Sequence, residues 1–316
     1  MQRKENLHST KVQPLLSRLL PYIGCLLVIL IWAGWIVLSR HGAQTSLSPL
    51  DLNFIRFTTA LVFSVPFWFI YNWRRIPFHQ ILLIGWGAGT VYTSLCFIAM
   101  ATAKAATAGV LINGFLPFFG ALIGYFWTHS RISRITGLCI VGIVIADTLL
   151  IGSDWNELGN GQGILAIFLF IGASCSFSFY AVAVKRWDFK LLDIVVWIPI
   201  VNFLTNLPFW LMSDSGIPTA PNRVLLTQAA YQGVLVTLFA GFLVAYTIQT
   251  LGPVTSTMFM ALVPAVTALL GYIFLSEPLS LIELVSISLC TICLIANGKW
   301  GHSTQPLSTS SLYCQQ

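Results

Sequence analysis

Arg56 lies inside an apolar run, Phe54–Ala60 and beyond, where a guanidinium has little water to solvate it. A charge at membrane depth costs at least about 2.5–3.5 kcal/mol, so Arg56 needs a partner. Two readings follow: snorkelling or pairing with Asp51 or a carbonyl, or anchoring a carboxylate or other anionic group of a substrate. Among acids, Asp147 is the most deeply placed and Glu283 stands near the start of the last apolar run; each is a candidate proton or ion site, or a locally hydrogen-bonded group. Asn113 precedes Pro117 by four residues, so the carbonyl freed by Pro117 and a buried amide together suggest a polar notch, with Pro117 and Pro264 as helix-kink positions. Trp32, Tyr92, Tyr180 and Tyr246 fall within apolar runs, and rings with a polar tip suit either core packing or recognition of an amphipathic metabolite.

Other chemistries find no support. His8, His41, His79, His129 and His302 lie in tails, loops or at run ends without H-E-x-x-H spacing, which argues against an intramembrane metalloenzyme. Cys290 and Cys293 form a C-x-x-C inside an apolar run with no second pair, so helix packing is the simpler reading and no metal is expected. Gly85, Gly87 and Gly89 follow no strand, and no G-x-x-x-x-G-K-[ST] occurs, so neither a dinucleotide nor an ATP site is encoded; no cofactor is expected. The net charge of +6 is spread singly and in pairs between apolar runs, not gathered into a nucleic-acid patch. Gly120 and Gly124 permit close helix contact, within the bundle or in a homodimer.

The elements that must position these residues are helices in lipid. Of 316 residues, 57% are hydrophobic and 8% charged, against roughly 25% charged in soluble chains. Ten spans are expected, at 22–39, 53–71, 80–100, 105–127, 135–151, 163–184, 191–212, 227–249, 254–275 and 280–298. The continuous apolar character excludes barrel strands, so the fold class is an all-α polytopic membrane protein. The basic stretch before the first run lacks a cleavage pattern, so that run is expected to remain as a span. With the N-terminus inside, twelve of sixteen Lys and Arg face the cytoplasm, and only Arg40, Lys104 and Arg223 face outward; both termini are expected in the cytoplasm of a cell that carries the protein in its plasma or inner membrane. Trp73, Trp127, Trp155, Trp187 and Trp300 sit at span ends as belt anchors, and the polar tail 299–316 is expected to be disordered.

Self-similarity orders the spans. LPFFGALIGY at 116–125 matches VPAVTALLGY at 263–272, 147 residues on, with Pro117/Pro264 and Tyr125/Tyr272 among the identities. Leu50-Asp51 and Pro66-Phe67-Trp68 recur as Leu192-Asp193 and Pro208-Phe209-Trp210, offset by 142. The difference fits the longer loop at 213–226. Two repeats, 22–151 and 163–298, joined by an external linker at 152–162 and preceded by a tail at 1–21, each hold five spans. An odd number inverts the second repeat, the geometry of alternating access.

Trp32-Ala33-Gly34, Phe54-Ile55-Arg56-Phe57, Ala105-Ala106-Thr107-Ala108 running into Pro117, Gly252-Pro253-Val254-Thr255-Ser256, Pro264 and Glu277-Pro278 together resemble the drug/metabolite transporter superfamily, in its EamA-like branch. The resemblance covers about 22–298. Ser130 stands where the first repeat would match Glu277, which weakens a symmetric role for that pair. The resemblance implies export or exchange of a small organic metabolite such as an amino acid, without a cofactor. A channel or receptor is the alternative, and an intramembrane enzyme a weaker one.

Overall fold

A computed structural model describes residues 15–73, 76–129, 132–153, 161–260 and 262–301. It is helical throughout these segments: α1 Leu15–Ala43, α2 Pro49–Trp68, α3 Phe78–Ala88, α4 Thr90–Met100, α5 Ala105–Thr128, α6 Arg134–Ser153, α7 Gly161–Arg186 and α8 Leu191–Leu211. A short helix α9 (Asn222–Gln228) then passes through a π-helical stretch, Ala229–Ala240, into α10 (Gly241–Met260), followed by α11 (Val263–Leu275) and α12 (Leu281–Trp300). Nine helical segments among the described residues are long and apolar enough to cross a membrane, and α11 is a shorter apolar helix. The lipid-type surface is direct: Phe63, Phe69, Phe126, Leu138, Phe168, Leu211 and Phe274 are all exposed, as large apolar side chains facing hydrocarbon would be.

The helices differ from expectation at several points. The first starts at Leu15, well before 22, because the amphipathic lead LLSRLLP continues the helix and Pro21 is tolerated within it. The third span is two helices, broken at Gly89, whose backbone (φ −115°, ψ −131°) is not helical. The eighth span begins at Asn222 and its helix continues through the turn expected at 250–253, so that the ninth begins at Val263, not 254. A proline inside a helix forfeits one hydrogen bond, which a bundle tolerates, and Pro264 instead takes the favourable first turn of α11. Pro117 is spanned by a continuous α5. Trp73 and Trp300 are exposed at helix ends, whereas Trp127 and Trp187 pack edge to face on each other, 5.2 Å apart, and against Phe179. Trp155, most of the expected linker and the tail beyond Gly301 lie outside the described residues.

The two repeats are visible in local geometry. His129 and Ser276, 147 residues apart, are both left-handed (φ 53° and 54°) and close α5 and α11 by donating to the carbonyls of Gly124 and Gly271, also 147 apart. Asp51 and Asp193, offset by 142, both stand at the third position of their helices, α2 and α8, and each accepts from the backbone amide of the N-cap residue, Ser48 at 2.9 Å and Lys190 at 2.7 Å. Packing between the repeats follows the same exchange: α2 lies on α8 and α6 on α12, the contact of α5 with α7 is mirrored by α11 with α1, and α3 on α8 is mirrored by the π-helical stretch on α2. One buried cluster joins α1, α4, α5 and α7 to the π-helical stretch and α10. A second, smaller one lies among α5, α6, α11 and α12.

Candidate functional site

Arg56 is 6% exposed on α2 and donates from Nη1 to Gln232 Oε1 at 3.0 Å. Its Nε has no partner among the described residues. The guanidinium carbon lies 5.6 Å from the ring centroids of both Trp35 and Phe57, within the range of cation–π attraction. The expected pairing with Asp51 does not form. That carboxylate takes hydrogen bonds from Ser48, Trp210 Nε1, Ser215 Oγ and the Gly216 amide, all within 3.0 Å. Arg56 therefore has no carboxylate partner among the described residues.

Gln232 is held from behind. Its amide nitrogen donates to Ser39 Oγ (3.0 Å) and to Gln228 Oε1 (3.1 Å), which turns its oxygen toward Arg56. Gln228 in turn donates to the Leu38 carbonyl at 3.1 Å. The two glutamines share a face because side chains four residues apart are neighbours on a helix, and Gln232 lies at the start of the π-helical stretch, a geometry frequent at functional sites. Gly233 lets this stretch meet α2 closely: a Cβ there would stand 3.0 Å from the Arg56 carbonyl and 2.5 Å from Thr59 Cβ.

Aromatic rings extend from the guanidinium. Trp35 stacks on Tyr92 (5.7 Å, 28°), Tyr92 meets Phe177 (5.2 Å), and Phe177 meets both Trp32 (5.7 Å, edge to face) and Tyr180 (5.3 Å). The structure thus brings together Trp32, Arg56, Tyr92 and Tyr180, from α1, α2, α4 and α7. Tyr92 is placed by the break at Gly89. Asn202 of α8 fills that break, accepting from the Thr90 amide at 2.6 Å and donating to the carbonyls of Gly85 (2.9 Å) and Ile198 (2.8 Å). Backbone groups that a broken span leaves exposed are thereby satisfied inside the bundle, and discontinuous spans mark binding sites in transporters.

Other expected residues lie elsewhere. Asn113 is buried, and its amide donates to the Gly109 carbonyl of its own helix at 2.7 Å; Ser178 of α7 donates to the nearby Leu116 carbonyl. Tyr246 sits against Gly24, eleven residues and so about 16 Å along α1 from Trp35. Asp147 is 1% exposed in the second cluster, where Gly114 backs it so closely that a Cβ would stand 2.8 Å from Oδ1. Neither of its oxygens has a hydrogen-bond partner among the described residues. Glu283 is accounted for structurally: it completes the capping box of α12 with Ser280 and lies 3.7 Å from Lys104 Nζ. Glu277 pairs with Arg40 at 3.2 Å and accepts from the Ala105 amide, 2.8 Å, at the start of α5. On the G-x-x-x-G face, nothing lies within 4 Å of a Cβ at Gly120.

Sequence reasoning passed over Trp35, Phe177, Gln228 and Gln232. The glutamines carried a usable signal: two amides four residues apart within an apolar run must find buried partners.

Comparison with known proteins agrees with this architecture. No curated protein matches the chain. A solved crystal structure of a protein 16% identical covers 89% of this chain and 96% of its own, with a TM-score of 0.63, which is a likeness of fold. The description of the EamA-like transporter family matches twice, over residues 19–152 and 164–297. Two copies in tandem, covering most of the chain and meeting across the α2–α8 and α6–α12 contacts, place it in that family: the chain belongs to the EamA-like transporters, multi-pass membrane proteins that move small molecules.

Proposed function

We propose that the protein is a secondary transporter, an exporter or exchanger of a small organic metabolite, that works by alternating access. The repeats, with bounds near 22–151 and 163–298, rock about a site formed by Arg56, Trp35, Trp32, Tyr92 and Tyr180. The observation that carries this reading is the buried guanidinium, without a carboxylate partner among the described residues, at the junction of the two repeats. A charge in that position is costly unless an anion completes it, and a substrate that arrives and leaves is such an anion. The mirrored contacts support the rocking, since the same pairs of helices can be exchanged between inward-open and outward-open packings.

In this reading both termini are cytoplasmic, and the membrane is a plasma or bacterial inner membrane. Asp147 carries the coupling proton from the second cluster, outside the substrate site. The test is counterflow: purified protein in liposomes preloaded with unlabelled metabolite, challenged with labelled metabolite across a panel of carboxylates, amino acids and amines. Accumulation that depends on Arg56 supports the proposal. Current without substrate selectivity, or no counterflow with any member of the panel, defeats it in favour of a channel or receptor.

A further inference from the structure

The groups around Arg56 are unbalanced in one direction. Arg56 Nε and Trp35 Nε1 are both buried N–H donors without an acceptor among the described residues. They belong to side chains already in contact, the guanidinium carbon lying 5.6 Å from the Trp35 ring centroid. Gln232, the hydrogen-bond partner of Arg56, has both amide hydrogens engaged by Ser39 and Gln228 and its oxygen engaged by Arg56, while the Tyr92 hydroxyl and the Cys96 thiol, also close to the guanidinium, are hydrogen-bonded to each other. The cluster therefore offers two free donors and a positive charge. Among the described residues it offers no carboxylate: Asp51 is saturated by its own partners, and Asp147 lies in the other buried cluster. Beyond the donors stand π faces, Tyr92 stacked on Trp35 and then Phe177.

Resting on the transporter reading, we infer that the substrate is a flat apolar or aromatic carboxylate that lacks an ammonium group. A carboxylate has two in-plane acceptor oxygens, matching one donor from the guanidinium and one from the indole. Its ring or flat body continues along Tyr92 and Phe177, where edge-to-face and offset packing is favourable. An ammonium group on the same molecule would sit beside a guanidinium with no acid to neutralise it, and like charges disfavour each other there. A zwitterionic amino acid of the same shape is thus discriminated against, as is an amine.

The test uses four probes on the full-length protein in detergent: phenylacetate, acetate, L-phenylalanine and benzylamine, read by thermal shift and by quenching of tryptophan fluorescence. Phenylacetate is expected to bind at least tenfold more tightly than each of the other three. Arg56→Gln is expected to remove that binding, and Trp35→Phe, which keeps the ring but not the donor, to weaken it several-fold. Should Arg56→Gln fail to fold, Trp35→Phe and the ranking of probes on the unaltered protein decide the matter. Equal or tighter binding of L-phenylalanine or benzylamine, no binding of phenylacetate at millimolar concentration, or a Trp35→Phe protein that binds it unchanged would each overturn the inference. Counterflow separates this from the parent reading: a protein that exchanges an amine or amino acid but ignores phenylacetate remains a transporter with the substrate class wrongly assigned, whereas one with no counterflow at all loses both.

Discussion

Asp51 and Asp193, 142 residues apart, each cap the second helix of their own repeat and each grip the chain that leaves the second helix of the other. Asp51 takes hydrogen bonds from Trp210 Nε1, Ser215 and Gly216, which end α8; Asp193 takes one from Tyr71, 2.7 Å, just beyond α2. Because α2 and α8 pack side by side in opposite directions, the two clamps lie at opposite ends of the bundle. They tie α2 to α8, and so the two repeats to each other, at both ends of the pair, with the Arg56 cluster one to two turns along α2 from Asp51.

The clamps predict a graded loss of stability. Replacing a capping Asp by Ala costs about 1–2 kcal/mol, and each orphaned buried donor adds about 1 kcal/mol or more. Asp51→Ala is therefore expected to cost about 3 kcal/mol and Asp193→Ala somewhat less, measured as a fall in the thermal midpoint in detergent. Equal midpoints for Asp51→Ala and the unaltered protein would show that the clamp holds nothing.

A second prediction concerns Gly34, in the Trp32-Ala33-Gly34 stretch. A Cβ there would come 2.1 Å from the hydroxyl of Tyr231, which donates to the Ile31 carbonyl at 3.1 Å. Gly34→Ala alone is expected to cost about 1–3 kcal/mol through overpacking. Tyr231→Phe alone costs about 1 kcal/mol, one hydrogen bond. The double variant should be more stable than the sum of the two losses implies, since removing the hydroxyl relieves the clash, and a double-mutant cycle of thermal midpoints measures that coupling. Strict additivity would mean that the glycine is needed for something other than Tyr231.

The helical class, the membrane setting and the two inverted repeats were legible in the sequence because they rest on long averages: apolar runs and offsets of 142 and 147 survive the loss of any one residue. The break at Gly89 was not. Its cause is a single residue on another helix, Asn202, whose side chain occupies the place of a Cβ 2.0 Å away, and no local propensity encodes a partner 113 residues distant. The site was legible in part. Arg56 was conspicuous as a charge in an apolar run, but its lack of an acid depended on where Asp51 turns, and Asp51 turns toward a loop of the other repeat. Tyr246 lies apart from the Arg56 cluster, a placement that was not legible because an aromatic at span depth says nothing about its height relative to residues on other helices.

Asp147 predicts a separation of coupling from exchange. A buried carboxylate without a partner is costly while charged and is neutralised by a proton. The groups facing it are the Cys290 thiol from α12 and the backbone of Gly114 from α5, with the Lys104–Glu283 pair nearer the helix ends. Asparagine mimics the protonated acid permanently. Asp147→Asn is expected to retain counterflow while losing the response of net transport to an imposed pH gradient; Glu283→Gln, which keeps the capping box and removes only the charge facing Lys104, should keep that response. If both variants respond to the gradient as the unaltered protein does, Asp147 has no part in coupling.

The Arg56–Gln232 contact gives the most discriminating substitution, because it changes one atom where partner and substrate would compete. Gln232→Glu puts a carboxylate oxygen where Oε1 already lies 3.0 Å from Nη1; Ser39 can turn its hydroxyl to donate to the second oxygen, whereas Gln228, whose oxygen accepts from Gln232 in the unaltered protein, must turn its amide over to do so. The guanidinium then has an internal counter-ion. A buried charge that was incomplete becomes a buried pair, so the thermal midpoint is expected to rise. An anion arriving from solution must now displace or share a covalently tethered rival, so its affinity is expected to fall at least tenfold, with counterflow of carboxylates slowed in proportion. The two effects oppose each other only if Arg56 serves the substrate. Were its role purely structural, Gln232→Glu would stabilise the protein and leave transport intact, and a paired measurement of midpoint and counterflow on this one variant separates the two roles.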